Sequence, residues 1–161
     1  MEILKIKMLE YIVTQGATDE RRLQWNTITK ENLENTLQFI ANTLNNGLTS
    51  GVNETRRNMG SVFISFDQLS SGISETIDGH YVKYHKIGAE LNFSQLPDGN
   101  ITVFMYPSYI EGITLKPDSI VLEESINPSS INEVYIKLKV GAFLDKLTAN
   151  NVKSNFSYNF N

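Results

Sequence analysis

The 161-residue chain has no cysteine, only two histidines, a single tryptophan and four prolines. Without cysteine it has no disulfide, no thiolate metal site, no iron–sulfur cluster and no thiol nucleophile. Two histidines leave little for imidazole-based chemistry. Basic residues are also in short supply: 14 Lys and Arg stand against 18 Asp and Glu, a net charge of −4. Such a balance gives no general attraction to phosphate backbones or anionic lipid, so the partners expected exclude nucleic acid and membrane. Long apolar runs are missing as well. Residues 1–10 break each short apolar stretch with Glu2, Lys5, Lys7 or Glu10, which is not the core of a signal peptide, and no other stretch reaches the ~18 apolar residues of a membrane span. The default compartment expected is the cytoplasm. Four Asn-X-Ser/Thr triplets begin at Asn53, Asn92, Asn100 and Asn155. With 17 asparagines in the chain, that is close to the number chance gives, and they carry no case for glycosylation.

What is present is enough for a core. Forty per cent of the residues are hydrophobic, and Leu, Ile, Val and Phe account for 48 of them, well above the level at which disorder is expected. The pattern predicts one α+β domain spanning 1–161, with N-terminal helical segments, about 1–50, packed on a mainly antiparallel sheet of about five or six strands within about 60–161. Charge divides unevenly: residues 1–60 are balanced, 61–132 carry −6 and 133–161 carry +2. A complementary contact between the acidic middle and the basic end, within one chain or between two, is one consequence.

Residues 2–13 are ambiguous, because Leu4, Ile6 and Met8 alternate with Lys5 and Lys7 while Leu4, Met8, Tyr11 and Ile12 share a helical face. Helix is the reading adopted. Over 14–28 the polar run Thr18-Asp19-Glu20-Arg21-Arg22 would cap a short turn of helix carrying Leu23 and Trp25 inward. The plainest element is a helix over 30–46 with Leu33, Leu37, Ile40, Ala41 and Leu44 in one stripe, Thr29 as N-cap and Gly47 as its left-handed end. Residues 47–60 read as a loop. A strand follows at 62–66, placed in the sheet interior because both of its faces are partly apolar. Leu96-Pro97-Asp98-Gly99-Asn100 has hairpin-turn chemistry. It sets Phe93 opposite Val103 and Leu91 opposite Met105 on the core face, and Asn92 opposite Phe104 and Glu90 opposite Tyr106 on the other. The first strand of this pair is expected nearer the edge, with Phe104 and Tyr106 covered by a neighbour, and Gly88 marks a change of phase upstream. Further strands are expected near 119–123 and over 133–140, where Val134, Ile136, Leu138 and Val140 alternate with polar residues, then a short helix over 142–150.

Chemistry-bearing constellations are sparse. His80 and His85 lie in Asp78-Gly79-His80-Tyr81-Val82-Lys83-Tyr84-His85-Lys86, and on a regular strand a separation of five points them to opposite faces. A ligand or metal-assisted hydrolytic site would need them to converge with a carboxylate such as Asp67, Glu90 or Glu111. Arg56 and Arg57 are candidates to clamp an anion. No phosphate-binding glycine loop or nucleophile elbow is present. Tyr81, Lys83, Tyr84 and Lys86 resemble a base-stacking platform, but the surrounding −6 opposes it.

Two features point to interaction instead. The outer face of the 30–46 helix carries Asn35, Gln38 and Asn42, with Glu34 its lone charge in the central turns, where a free surface helix usually carries Glu and Lys. Phe156, Tyr158 and Phe160 alternate at the C-terminal end and would form an exposed apolar strip unless docked. The expected function is a non-catalytic protein-binding or assembly module, with a protein partner or a further copy of itself as the contact and no cofactor. The alternative is a small-ligand-binding or metal-assisted hydrolytic enzyme using His80 and His85.

Overall fold

A computed structural model describes residues 1–54 and 60–156, the last six of these as backbone. The chain is α+β, as its pattern predicts. It opens with helix α1 (Glu2–Gln24), which passes without a break through one π-helical turn (Trp25–Thr29) into α2 (Lys30–Leu44). The widened turn changes the phase of the inward face between the two helices. Thr29 is therefore not an N-cap: its backbone is helical and its side chain caps nothing. The 14–28 region is helical and Trp25 is fully buried, both as expected, but it is no separate short turn, since Gly16 lies inside α1, and Leu23 is 63% exposed. α2 ends earlier than Gly47, at Asn45, which takes the left-handed conformation with φ +45° and is one of the few residue types that tolerate it. Leu33, Leu37, Ile40 and Ala41 are buried as the stripe requires, whereas Leu44 at the fraying end is exposed.

Five strands form an antiparallel sheet in the order β1 (Leu48–Glu54), β2 (Gly60–Phe66), β5 (Glu90–Gln95), β6 (Ile101–Tyr106), β8 (Ile120–Ile126). A smaller sheet joins β3 (Leu69–Ile77), β4 (His80–Ile87) and β7 (Tyr109–Ile110) in that order. Residues 48–54 are thus strand rather than loop, and they extend the β region into the part expected to be helical. Gly51 is what lets β1 pair here, since its position faces the Phe63 ring and a Cβ would lie 2.8 Å from Phe63 Cζ. The β5–β6 hairpin has the register the turn predicts, from Glu90 opposite Tyr106 to Gln95 opposite Ile101. Leu96 N–H donates to the Asn100 carbonyl at 2.7 Å, and Gly99 holds φ +83°. β2 is interior as expected. β5, however, is the central strand and not nearer the edge, because β2 pairs along its other side. Gly88, with φ +80°, is where the chain leaves the small sheet for the large one.

The 133–140 strand is absent. Those residues begin α3 (Glu133–Phe156), started by the Asn132 side chain, whose Oδ1 accepts from Tyr135 N–H at 3.0 Å. Burial selects Ile136, Val140, Phe143 and Leu147, at steps of four, three and four, and leaves Val134 and Leu138 exposed. The alternation of apolar residues was compatible with both periods, and packing chose the helix. α2, α3 and Trp25 share one core with the sheet face bearing Val62, Ile64, Leu91, Phe93, Val103 and Met105. Phe66 and Phe143 stack across it at 6.4 Å. Phe104 and Tyr106, on the opposite face, are half-buried and meet edge to face at 5.5 Å.

Candidate interaction surface

Among the described residues, α1 joins the body only through its C-terminal turns. The hairpin turn at 96–100 presents two backbone carbonyls to it: Arg22 Nη2 donates to Pro97 O at 2.6 Å and Arg21 Nε to Asp98 O at 2.9 Å. Thr18 is buried against the same turn, and Gly99 packs so closely that a Cβ would lie 2.9 Å from both Thr18 O and Arg21 Cβ. N-terminal to this anchor, every residue from Met1 to Gly16 is exposed. At 1.5 Å per residue that is about 24 Å of helix standing clear of the body. It is not a polar helix. Met1, Ile3, Leu4, Ile6, Met8, Leu9, Tyr11, Ile12 and Val13 are each at least 52% exposed. Soluble helices keep such residues for one buried face, and a helix apolar on most sides is normally enclosed.

The α2 outer face holds Asn35, Gln38 and Asn42, all exposed, as its sequence position implies. Phe39, 62% exposed, sits among them, four residues after Asn35 and three before Asn42. Sequence reasoning passed over it, although its spacing places it on that face. On α3, Val134 and Leu138 line a shallow groove with Gly141, Ala142 and Asp145. Phe156 lies in the last turn of α3, so the alternating extended strip does not include it. Tyr158 and Phe160, like Arg56 and Arg57, lie outside the described residues.

The histidines sit on β4 of the small sheet, both exposed, His80 opposite Ile77 and His85 opposite Ser70. The irregularity in this pairing falls on β3, between Ser70 and Ser74, so β4 itself runs on and carries the two side chains apart. A shallow cleft of Ser70, Ile73, Ser74, Tyr81, Lys83, Tyr84 and His85 takes in one histidine and not the other. Ser71 bonds the Tyr84 carbonyl, and its Oγ accepts from Ile73 N–H at 3.0 Å, so its hydroxyl serves the backbone. Tyr84 bonds Glu75, and that hydrogen bond pushes the phenol above its ordinary pKa. Asp67, Glu90 and Glu111 do not complete a cluster: among the described residues no three His, Asp or Glu side chains are grouped to hold a metal. The turn at Asp78-Gly79, with φ +49° and +81°, closes β3 on β4. Asp-Gly is a strong hairpin signal, and reading 78–86 as a candidate site passed over it.

Glu123 of β8 ties the acidic middle to the basic end. It pairs with Lys139 and accepts from Tyr135 Oη at 2.9 Å, both on α3. The Lys139 and Tyr135 bonds hold the Glu123 carboxyl below the usual carboxylate range, while burial and the Glu123 bond push the Tyr135 phenol up. Among the described residues no helix is long and apolar enough to cross a membrane. Comparison with protein-family models, curated proteins and solved structures returns no match.

Proposed function

We propose that the chain is a non-catalytic protein-binding or assembly module whose main contact element is the projecting half of α1. One observation carries the reading: sixteen consecutive exposed residues, Met1 and the helical Glu2–Gly16, hold nine large apolar side chains. Leaving that surface in water is unfavourable at roughly 25 cal/mol per Å2, and association with protein removes the cost. The Arg21 and Arg22 bonds to the 97–98 carbonyls support the same reading, because an anchored helix loses less freedom on binding than a free one. The α2 face of Asn35, Gln38 and Asn42 with Phe39 is a second contact region in this proposal.

The test is a photo-crosslinking amino acid placed in living cells at Leu9, and separately at Glu75 on the small sheet. Leu9 is expected to give a discrete protein-sized adduct and Glu75 none. Equal labelling at both positions, or none at Leu9, would sink the reading.

A further inference from the structure

Residues 1–13 of α1 carry two apolar stripes rather than one. Met1, Leu4, Met8 and Tyr11 follow steps of three, four and three, with Ile12 beside them. Ile3, Ile6, Leu9 and Val13 follow steps of three, three and four. At 3.6 residues per turn the centres of the two stripes are roughly 160° apart. Lys5 separates them on one side and Lys7 and Thr14 on the other, while Glu2 and Glu10 fall within the second stripe. A partner helix covers a stripe about 100° wide, so one neighbour leaves the second stripe in water. We infer that this segment is the core-forming helix of a homo-oligomer, in which each α1 packs between the α1 helices of two further copies of the chain. The inference rests on the assembly reading above and names its partner.

Three observations select a second copy. The segment is electrically balanced, with Glu2 and Glu10 against Lys5 and Lys7, so copies brought together meet no net repulsion. The nine side chains, 52–93% exposed, leave on the order of 1,000 Å2 open on each copy; shared between two neighbours, this totals about what one partner gives up in a stable interface, ~800 Å2. Each copy also brings both stripes, so the first stripe of one can meet the second stripe of the next, a heterologous contact that closes into a ring of helices. A membrane surface is the poorer fit, because interfacial helices carry one apolar face and an excess of Lys and Arg on the other.

Light scattering on the full chain at micromolar concentration tests this, alongside two double variants, Leu4→Glu with Met8→Glu and Ile6→Glu with Leu9→Glu. The substituted residues are exposed in the single chain, so circular dichroism and melting of the isolated subunit should be retained. The expected result is a mass of three or more chains that each double variant reduces. A single-chain mass would overturn the inference. So would a dimer abolished by only one of the variants, or an oligomer that survives both. If the chain is monomeric yet Leu9 crosslinks to a different protein, the homo-oligomer fails while the assembly reading stands. If the monomer instead binds phosphatidylglycerol vesicles and the charge variants release it, the helix is a membrane element and the inference is overturned.

Discussion

Thr29 Oγ1 donates to the carbonyl oxygen of Pro128 at 3.1 Å, a buried bond that joins the α1–α2 turn to the segment leading into α3, 99 residues away. Both residues are buried, and the Pro128 carbonyl also accepts from Ile131 N–H at 3.1 Å. Thr29→Val keeps the shape and removes the side-chain donor, leaving the carbonyl with the Ile131 N–H alone. The expected loss is about 0.5–1.5 kcal/mol in denaturant unfolding. A change below a few tenths would mean that the two helical regions are held by apolar contact alone.

Gly99 sets the position of α1. Its φ of +83° and the 2.9 Å approach of Thr18 O leave no room for a methyl group. Gly99→Ala is expected to destabilise by about 1–3 kcal/mol. It should also speed hydrogen exchange of amides 18–24 more than those of α2, because the anchor of α1 is displaced first. Uniform acceleration of both helices would contradict the anchoring role.

α3 makes a paired prediction. Ile136 is fully buried and Leu138 is 67% exposed. Ile136→Ala should cost about 2–5 kcal/mol, and Leu138→Ala should stay within about 0.5 kcal/mol. On a strand the two residues would share a face and respond alike. Equal costs from equilibrium melts would therefore restore the strand.

Glu123 gives a pH signature. Its folded carboxyl lies below the ordinary value, owing first to Lys139 and then to Tyr135. The native state thus binds its proton later than the unfolded chain on acidification, so the contribution is full above about pH 4.3 and is lost as pH falls through the folded value. The pair with Lys139 is part-exposed, and Glu123→Gln should cost no more than about 1 kcal/mol at neutral pH. The difference between wild type and variant should shrink on acidification. A constant difference from neutral pH down to acid unfolding would show that the carboxylate charge plays no part.

The β5–β6 register was legible in the sequence because Pro97, Asp98, Gly99 and Asn100 fix a turn through local backbone preferences, and a hairpin's register follows from its turn. The α2 stripe was legible for a similar reason, since Leu33, Leu37, Ile40 and Ala41 match only one period. Residues 133–140 were not, because alternating apolar residues there also satisfy a helical stripe when Phe143 and Leu147 are added. Asn132 was the local sign of a helix start. The central place of β5 was hidden because β2, which ends 24 residues before β5 begins, pairs with it across the intervening β3–β4 hairpin.

By itself the sequence determined what the missing residues exclude: without cysteine there is no thiolate or disulfide chemistry, and with two histidines five apart on a strand no shared imidazole face. It also determined the α+β class and the stripes along its helices, since these depend on neighbours within a few residues. Tertiary structure alone decided which stripes are covered. Two helical patterns, in α1 and α2, end in opposite places. The stripe of α2 is buried on the sheet, whereas the hairpin turn at 96–100 grips α1 only near Thr18, Arg21 and Arg22 and leaves the apolar residues before it in solvent. Burial depends on long-range contacts that no local pattern encodes.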